Sequence, residues 1–319
     1  SIMSKVLNFG SINIDETFDV PHLCQKGETL SSVGYTIRGG GKGSNQSAAL
    51  GKSGAKVYHA GIVGKDATWV KDLIRDQGVD VTYIKVDEKE ANGRALIQVC
   101  QKTGDNCIVL YPGTNAKYTA EYAKEVLEHF GPNDWILQQN EISQGGAIMQ
   151  AAADKGLKVI FNPAPMTASV IDEFPLNKVD ILQVNETEAT IMYHTITGKI
   201  DEPVPEVLVK LIMETYPQMQ GIVMTLGGDG VLACFRHEGQ SQEFKIPVAK
   251  ADVKDTTAAG DTFVGFFLSA FLRNSHSDYF TRVENALIEA NVAAAISVER
   301  PGSMASVPSL NEVRDRLEA

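Results

Sequence analysis

Lys254-Asp255-Thr256-Thr257-Ala258-Ala259-Gly260-Asp261-Thr262-Phe263 sets small residues directly ahead of a carboxylate and an apolar helical run, Phe263-Val264-Gly265-Phe266-Phe267-Leu268. A helix starting there leaves backbone N–H groups unpaired, with no bulk to hold an anion away and a dipole that favours negative charge. The segment therefore predicts an anion hole from Ala258, Ala259 and Gly260. A carboxylate in a cradle built for anions makes sense if it serves chemistry. Asp261 stands where it would take the proton of a hydroxyl attacking phosphorus. Asp is also a preferred residue at helix starts, so a plain capping role stays open.

Other residues carry chemistry of the same kind. Glycine inside a helix costs about 1 kcal/mol relative to alanine. Gly39-Gly40-Gly41-Lys42-Gly43 is therefore read as a ligand-contacting loop before a helix over 44–50. Asn13 and Asp15 lie two apart at the end of the first strand and so face one side. A carboxylate there accepts from two adjacent hydroxyls, as in a vicinal diol, although a surface Asp on a lid strand fits the same spacing. Asn185 and Glu188 follow a buried strand, three residues apart, which suits either oxygen donors for Mg²⁺ or a capping box. Thr225-Leu226-Gly227-Gly228-Asp229-Gly230 follows another apolar strand, where glycines admit a flat base or ribose or simply make a β-turn.

These groups need a scaffold that gathers them. Apolar runs at 5–9, 135–137, 158–161, 180–184 and 222–225 alternate with helical patterns, which predicts a parallel sheet wrapped by helices. Two segments break the alternation. Residues 93–100 and 106–111 flank Lys102-Thr103-Gly104-Asp105 and read as an antiparallel hairpin, while 14–37 is extended without a helical period. Together they predict a small sheet outside the main one, acting as a lid. No repeat or flexible linker divides the chain, so one domain over 1–319 with lid insertions at about 14–37 and 93–111 is expected.

Asp255-Thr256-Thr257-Ala258-Ala259-Gly260-Asp261-Thr262-Phe263 closely resembles the C-terminal signature of the PfkB sugar kinases, and Gly39-Gly40-Gly41-Lys42-Gly43-Ser44-Asn45-Gln46 resembles their N-terminal one. With Gly10-Ser11-Ile12-Asn13-Ile14-Asp15 and Asn185-Glu186-Thr187-Glu188 the similarity runs nearly end to end, most closely to the ribokinase-like members. The resemblance implies an α/β fold of that type: a doubly wound, mainly parallel sheet with helices on both faces and a small β-sheet lid that often pairs two copies into a homodimer. It implies phosphoryl transfer from ATP to the 5-hydroxyl of D-ribose. A kinase for another sugar or a nucleoside, or a catalytically silent sugar-binding regulator, remains the alternative. By resemblance Asn13, Asp15, Gly40, Gly41, Lys42, Asn45, Glu141 and Asp261 form the sugar site. Asn185, Thr225, Gly227, Gly228, Gly230, Gly260 and Asn291, the last on a helix over 285–297, form the ATP site. Asn185 and Glu188 would hold Mg²⁺ through water, and Asp255, Thr257, Ser297, Arg300, Gly302 and Ser306 would form a K⁺ loop, mostly through carbonyl oxygens. Pro301 and Met304 depart from the family's wording there.

The chain has 319 residues, 43% hydrophobic and 22% charged, and a formal net charge of −11. That balance argues against nucleic acid or an anionic membrane as partner, so a phosphate ligand must be held by local features. Cys24, Cys100, Cys107 and Cys234 show neither C-x-x-C pairing nor metal-ligand spacing, and free thiols in a cytoplasmic setting are expected. No apolar run reaches the roughly 18 residues of a membrane span, and no basic-then-apolar leader opens the sequence. Ser1-Ile2 reads as an addition ahead of Met3. Gly51-Lys52-Ser53 lacks the upstream glycine of a P-loop, since position 46 is Gln46. Asn45-Gln46-Ser47 and Asn185-Glu186-Thr187 match the glycosylation pattern by coincidence.

Overall fold

The computed structural model describes residues 4–319; Ser1, Ile2 and Met3, with the expected addition, lie outside the described residues. Among the described residues thirteen strands form two sheets. In chain order they are β1 (Lys5–Phe9), β2 (Asn13–Val20), β3 (Gly34–Gly40), β4 (Lys56–Gly64), β5 (Ile84–Asp87), β6 (Arg94–Cys100) and β7 (Asn106–Tyr111). After these come β8 (Trp135–Gln138), β9 (Lys158–Phe161), β10 (Ile181–Asn185), β11 (Gly221–Thr225), β12 (Val231–His237) and β13 (Gln240–Ile246). The large sheet has the order β13-β12-β11-β10-β9-β8-β1-β4-β5 and is parallel from β11 to β5.

Its apolar runs are continuous because both faces are covered. Val6 and Leu137 point into one buried cluster, Leu7 and Ile136 into the other. The first cluster is closed by the helices α1 (Lys42–Lys52), α2 (Thr68–Asp76), α8 (Ala259–Arg273), α9 (Tyr279–Ser297) and α10 (Leu310–Glu318). The second is closed chiefly by α3 (Ala120–Leu127), α4 (Gly145–Asp154), α6 (Glu186–Thr197) and α7 (Pro205–Thr215); the short α5 (Val170–Glu173) adds Val170. The antiparallel pair β12 and β13 at one edge was not foreseen from the sequence.

The second sheet, β3-β2-β6-β7, contains the expected hairpin β6–β7, paired antiparallel, with β2 parallel to β6. It also relocates two expected features. Asn13 and Asp15 do not end the first strand; they open β2, after the turn 10–12 has left the large sheet. The glycine run is not one loop. Gly39 and Gly40 end β3, Gly41 is the N-cap at φ 92°, and Lys42 and Gly43 already belong to the first turn of α1, which runs to Lys52 rather than over 44–50. The glycines admit other parts of the protein: a Cβ on Gly40 would lie 2.0 Å from the Asp15 carboxylate, and one on Gly43 2.4 Å from the Ser11 nitrogen. The last helix before the C-terminal segment spans 279–297, longer than the expected 285–297. Among the described residues no helix is long and apolar enough to cross a membrane.

Candidate active site

Strand order reverses between β8 and β1, and crevices at the carboxyl ends of parallel strands form at such switch points. Into this one the turn after β1 brings Ser11, β2 brings Asn13 and Asp15, the segment after β8 brings Glu141, and the facing starts of α1 and α8 bring Lys42, Asn45 and Asp261.

Asp261 is buried in the first turn of α8 and makes no capping bond, which removes the capping alternative. Its carboxylate instead accepts from two amides of α1: Asn45 Nδ2 to Oδ2 and Gln46 Nε2 to Oδ1, both at 3.0 Å. Asn45 Oδ1 is buried without a partner, an acceptor left over for a ligand hydroxyl. Among the described residues the Gly260 and Asp261 N–H groups have no acceptor in the protein, whereas the Ala259 N–H is directed at the Thr256 carbonyl at 3.2 Å. The Ala258 N–H likewise has no acceptor, so of the expected Ala258-Ala259-Gly260 set only Ala259 is engaged, and Asp261 adds a further free donor. Gly260 faces open space where a Cβ would stand, and Gln183 Nε2 ties its carbonyl down at 3.1 Å.

Glu141 Oε1 accepts from the Lys42 N–H at 2.8 Å and the Ser11 hydroxyl at 2.7 Å, while the Gly43 N–H donates to Ser11 Oγ at 3.0 Å. This carboxylate therefore anchors the start of α1 as well as facing the crevice. Asn13 Oδ1 accepts from Asn115 Nδ2 at 2.6 Å, which fixes its orientation. Burial, with Glu141 and Asp261 nearby, pushes the Asp15 carboxyl up to about 7. The Asp261 charge pushes the Lys42 ammonium up against the cost of burial, helped by Glu141 and Glu188. One lysine thus stands among four carboxylates.

On the other side of α8's start lies a cavity of about 700 Å³. Thr225, Gly227, Gly228, Gly230, Gly260 and Asn291, all expected at a nucleotide, line it. The Asn291 Nδ2 donates to the Pro247 carbonyl at 2.8 Å, which fixes the side chain and leaves its second hydrogen and its oxygen without a partner among the described residues. Asn185 is not among the lining residues; it sits beside Thr225 in register. Asn185 and Glu188 form a reciprocal capping box on α6, Glu188 N–H to Asn185 Oδ1 at 2.7 Å and Asn185 N–H to Glu188 Oε1 at 2.9 Å. Burial raises the Glu188 carboxyl. Such donors suit a hard cation held through water. Among the described residues no cluster of three or more His, Cys, Asp or Glu side chains could ligate a metal directly.

In the expected K⁺ loop, Asp255 accepts from the Thr257 N–H and hydroxyl and from the Gly302 N–H. Burial opposes its charge, but these donors with Arg38 hold its carboxyl below the usual range. The Ser297 and Ser306 hydroxyls donate to the Ala294 and Ser303 carbonyls, and Arg300 pairs with Glu312. The Arg300 side chain is thereby occupied and the two serine hydroxyl hydrogens are used, which leaves oxygen lone pairs and main-chain carbonyls to offer an ion.

Sequence reasoning missed Asn8, Gln46, Gln139, Asn162 and Gln183, all buried amides at or near this crevice. The signal was present: four are amides set in or directly after apolar strand runs, where such groups are costly unless hydrogen-bonded.

The comparisons agree with this geometry. The profile of the pfkB family carbohydrate kinases matches residues 3–310. A ribokinase of Haemophilus influenzae is 35% identical over 99% of both chains. The crystal structure of a Cryptococcus neoformans ribokinase in complex with ADP is similar at a TM-score of 0.82 and 35% identity, over 98% of this chain and 99% of that one. An Arabidopsis thaliana ribokinase complexed with ribose and ATP gives a TM-score of 0.81 at 25% identity over the full length of both. With two matching signatures, a switch-point crevice and this end-to-end similarity, the chain belongs to the pfkB family of carbohydrate kinases.

Proposed function

We propose that this protein transfers the γ-phosphoryl group of ATP to the 5-hydroxyl of D-ribose. One observation carries the reading: a single helical turn faces the nucleotide-sized cavity at Ala259 and Gly260 and the carboxylate cluster at Asp261. ATP would lie over Thr225, Gly227, Gly228 and Gly230 with its phosphates toward α8, and the sugar would lie between Asp15, Asn45 and Asp261. Asp261 takes the hydroxyl proton, while the Gly260 and Asp261 N–H groups and the helix dipole stabilise the transferring oxygens. Lys42, kept charged by Asp261, offsets the surrounding negative charge. Mg²⁺ arriving with ATP would supply further neutralisation of phosphate charge, with Asn185 and Glu188 holding its waters. Coupled ADP release over ribose, 2-deoxyribose, ketohexoses and nucleosides tests this. Turnover with ribose is expected to exceed the others, and a preference for a nucleoside or hexose would replace ribose as acceptor.

The loop around Asp255 is proposed to hold K⁺ through main-chain oxygens near Thr257, Ser297, Gly302 and Ser306. The ion would order the segment presenting the anion hole without touching the phosphate. Rates at matched ionic strength should be higher in KCl than in NaCl or tetramethylammonium chloride. Equal rates in all three salts would remove the ion from this reading.

The small sheet is proposed as a lid and as the contact between two copies. Every residue of β7 is exposed, including Ile108, Val109 and Leu110, and it ends the sheet with an unpaired edge. Such an apolar edge is unstable in isolation and is usually covered. Sedimentation should find a dimer at micromolar concentration, and charges on both faces, Ile108→Asp with Val109→Asp, should give a monomer. A monomeric parent protein would rule the dimer out.

A further inference from the structure

Gln46 enters the interior from α1 with no exposed surface, and both of its amide hydrogens are used. Nε2 donates to Asp261 Oδ1 and to Asn162 Oδ1, each at 3.0 Å. Its Oε1 accepts from Gln139 Nε2 at 2.8 Å, and the second Gln139 hydrogen goes to Asn8 Oδ1 at 2.9 Å. Asn8 Nδ2 donates onward to the Gly43 carbonyl at 2.8 Å and to Ser47 Oγ at 2.7 Å. Ser47 Oγ lies 2.6 Å from His59 Nδ1, and His59 Nε2 lies 3.1 Å from the Gly10 carbonyl.

One end condition orients the whole chain. A carbonyl can only accept, so His59 Nε2 carries the hydrogen and Nδ1 accepts from the Ser47 hydroxyl. Ser47 Oγ is then left to accept, so Asn8 presents Nδ2 to it and Oδ1 to Gln139. Gln139 in turn must give its hydrogens to Asn8 and to Gln46 Oε1, which leaves Gln46 Nε2 pointing at Asp261. Amide orientations are ordinarily interchangeable in shape, but here each flip would set donor against donor in a buried space. Burial pushes the His59 imidazole down to about 4 against the pull of the Gly10 carbonyl, so it stays neutral and the end condition holds.

An uncharged double donor suits this place. It satisfies one oxygen of a buried carboxylate without neutralising it, in a cluster that already contains Lys42 from α1, Asp15 from β2 and Glu188 from α6. We propose that Gln46 is a positioning residue for Asp261, held in its donating orientation by the buried chain His59–Ser47–Asn8–Gln139. The proposal rests on reading Asp261 as the group that takes the hydroxyl proton.

The test is Gln46→Met, which keeps the length and loses the donor. With ribose as substrate, kcat should fall about 10–100-fold, the range expected when a reacting group loses its support. The ribose Kd by calorimetry should stay within about threefold, a split that general loosening of the fold would not give. Urea midpoints of Gln46→Met, Asp261→Asn and the double variant should be non-additive, the double losing less than the sum. A kcat loss under fivefold, a Kd that worsens in step with kcat, or additive midpoints would each overturn the proposal. If the parent protein turns over no ribose, the kinase reading fails on its own, and the urea cycle still decides the pairing. Should Gln46→Met not fold, Gln139→Met carries the same measurements one bond further back.

Discussion

Asp261→Asn should lower kcat by about 10³–10⁴-fold, at the upper end of what general-base catalysis contributes, while ribose binding stays within about tenfold. The new amide cannot take a proton, yet the site can absorb it. Gln46 still donates to the remaining oxygen, and Asn45, whose Oδ1 is unpartnered, can flip to accept from the new NH₂ group. Folding should therefore survive, and the loss should fall on the chemical step. Single-turnover rates and calorimetric ribose binding separate the two. A kcat within tenfold of the parent would remove Asp261 as the base.

Asp15→Ala should raise the KM for ribose about 100-fold, the weight of two hydrogen bonds to a charged group, with kcat changed far less. The ratio of kcat/KM for ribose over 2-deoxyribose should collapse toward one, because the lost acceptor is the one placed for the diol. An unchanged ratio would show that Asp15 does not face the sugar. The same carboxyl predicts a pH dependence. Its native value of about 7 lies above the ordinary 3.8, so the stability it contributes to the ligand-free protein is present below 3.8 and lost as pH rises to about 7. Asp15→Asn should thus gain most on the parent in thermal melts above pH 7. Ribose binding runs the other way, since sugar hydroxyls donate to the ionised form: KM should rise toward tenfold per unit as pH falls below about 7. A flat KM between pH 6 and 8 would contradict this.

Much of this protein was legible because its signals are local. Helix starts announce themselves by small residues and a missing cap, so the cradle at Ala258-Ala259-Gly260-Asp261 could be read without neighbours. Continuous apolar runs gave the two-faced parallel sheet, and β6–β7 followed from the turn at Lys102-Thr103-Gly104-Asp105. What stayed hidden depends on residues far apart in the chain. Glycines at 40 and 43 look like ligand contacts in the sequence, but it is the Asp15 carboxylate and the Ser11 backbone that crowd them. Asn185 and Glu188 cap a helix, and spacing cannot separate that role from the proposed one of holding metal-bound water.

The amide chain is the clearest case. The bonds that join Asn8, Gln46, Gln139 and Asp261 span 93 to 215 positions, and nothing in their local patterns says that they meet. The sequence by itself determined which segments become strands and helices and which groups could do chemistry, because backbone geometry and burial period act over a few residues. Only the tertiary structure decided which polar atoms share a dry interior, because a buried donor must find its acceptor wherever the fold has brought one, and that requirement orients Asp261.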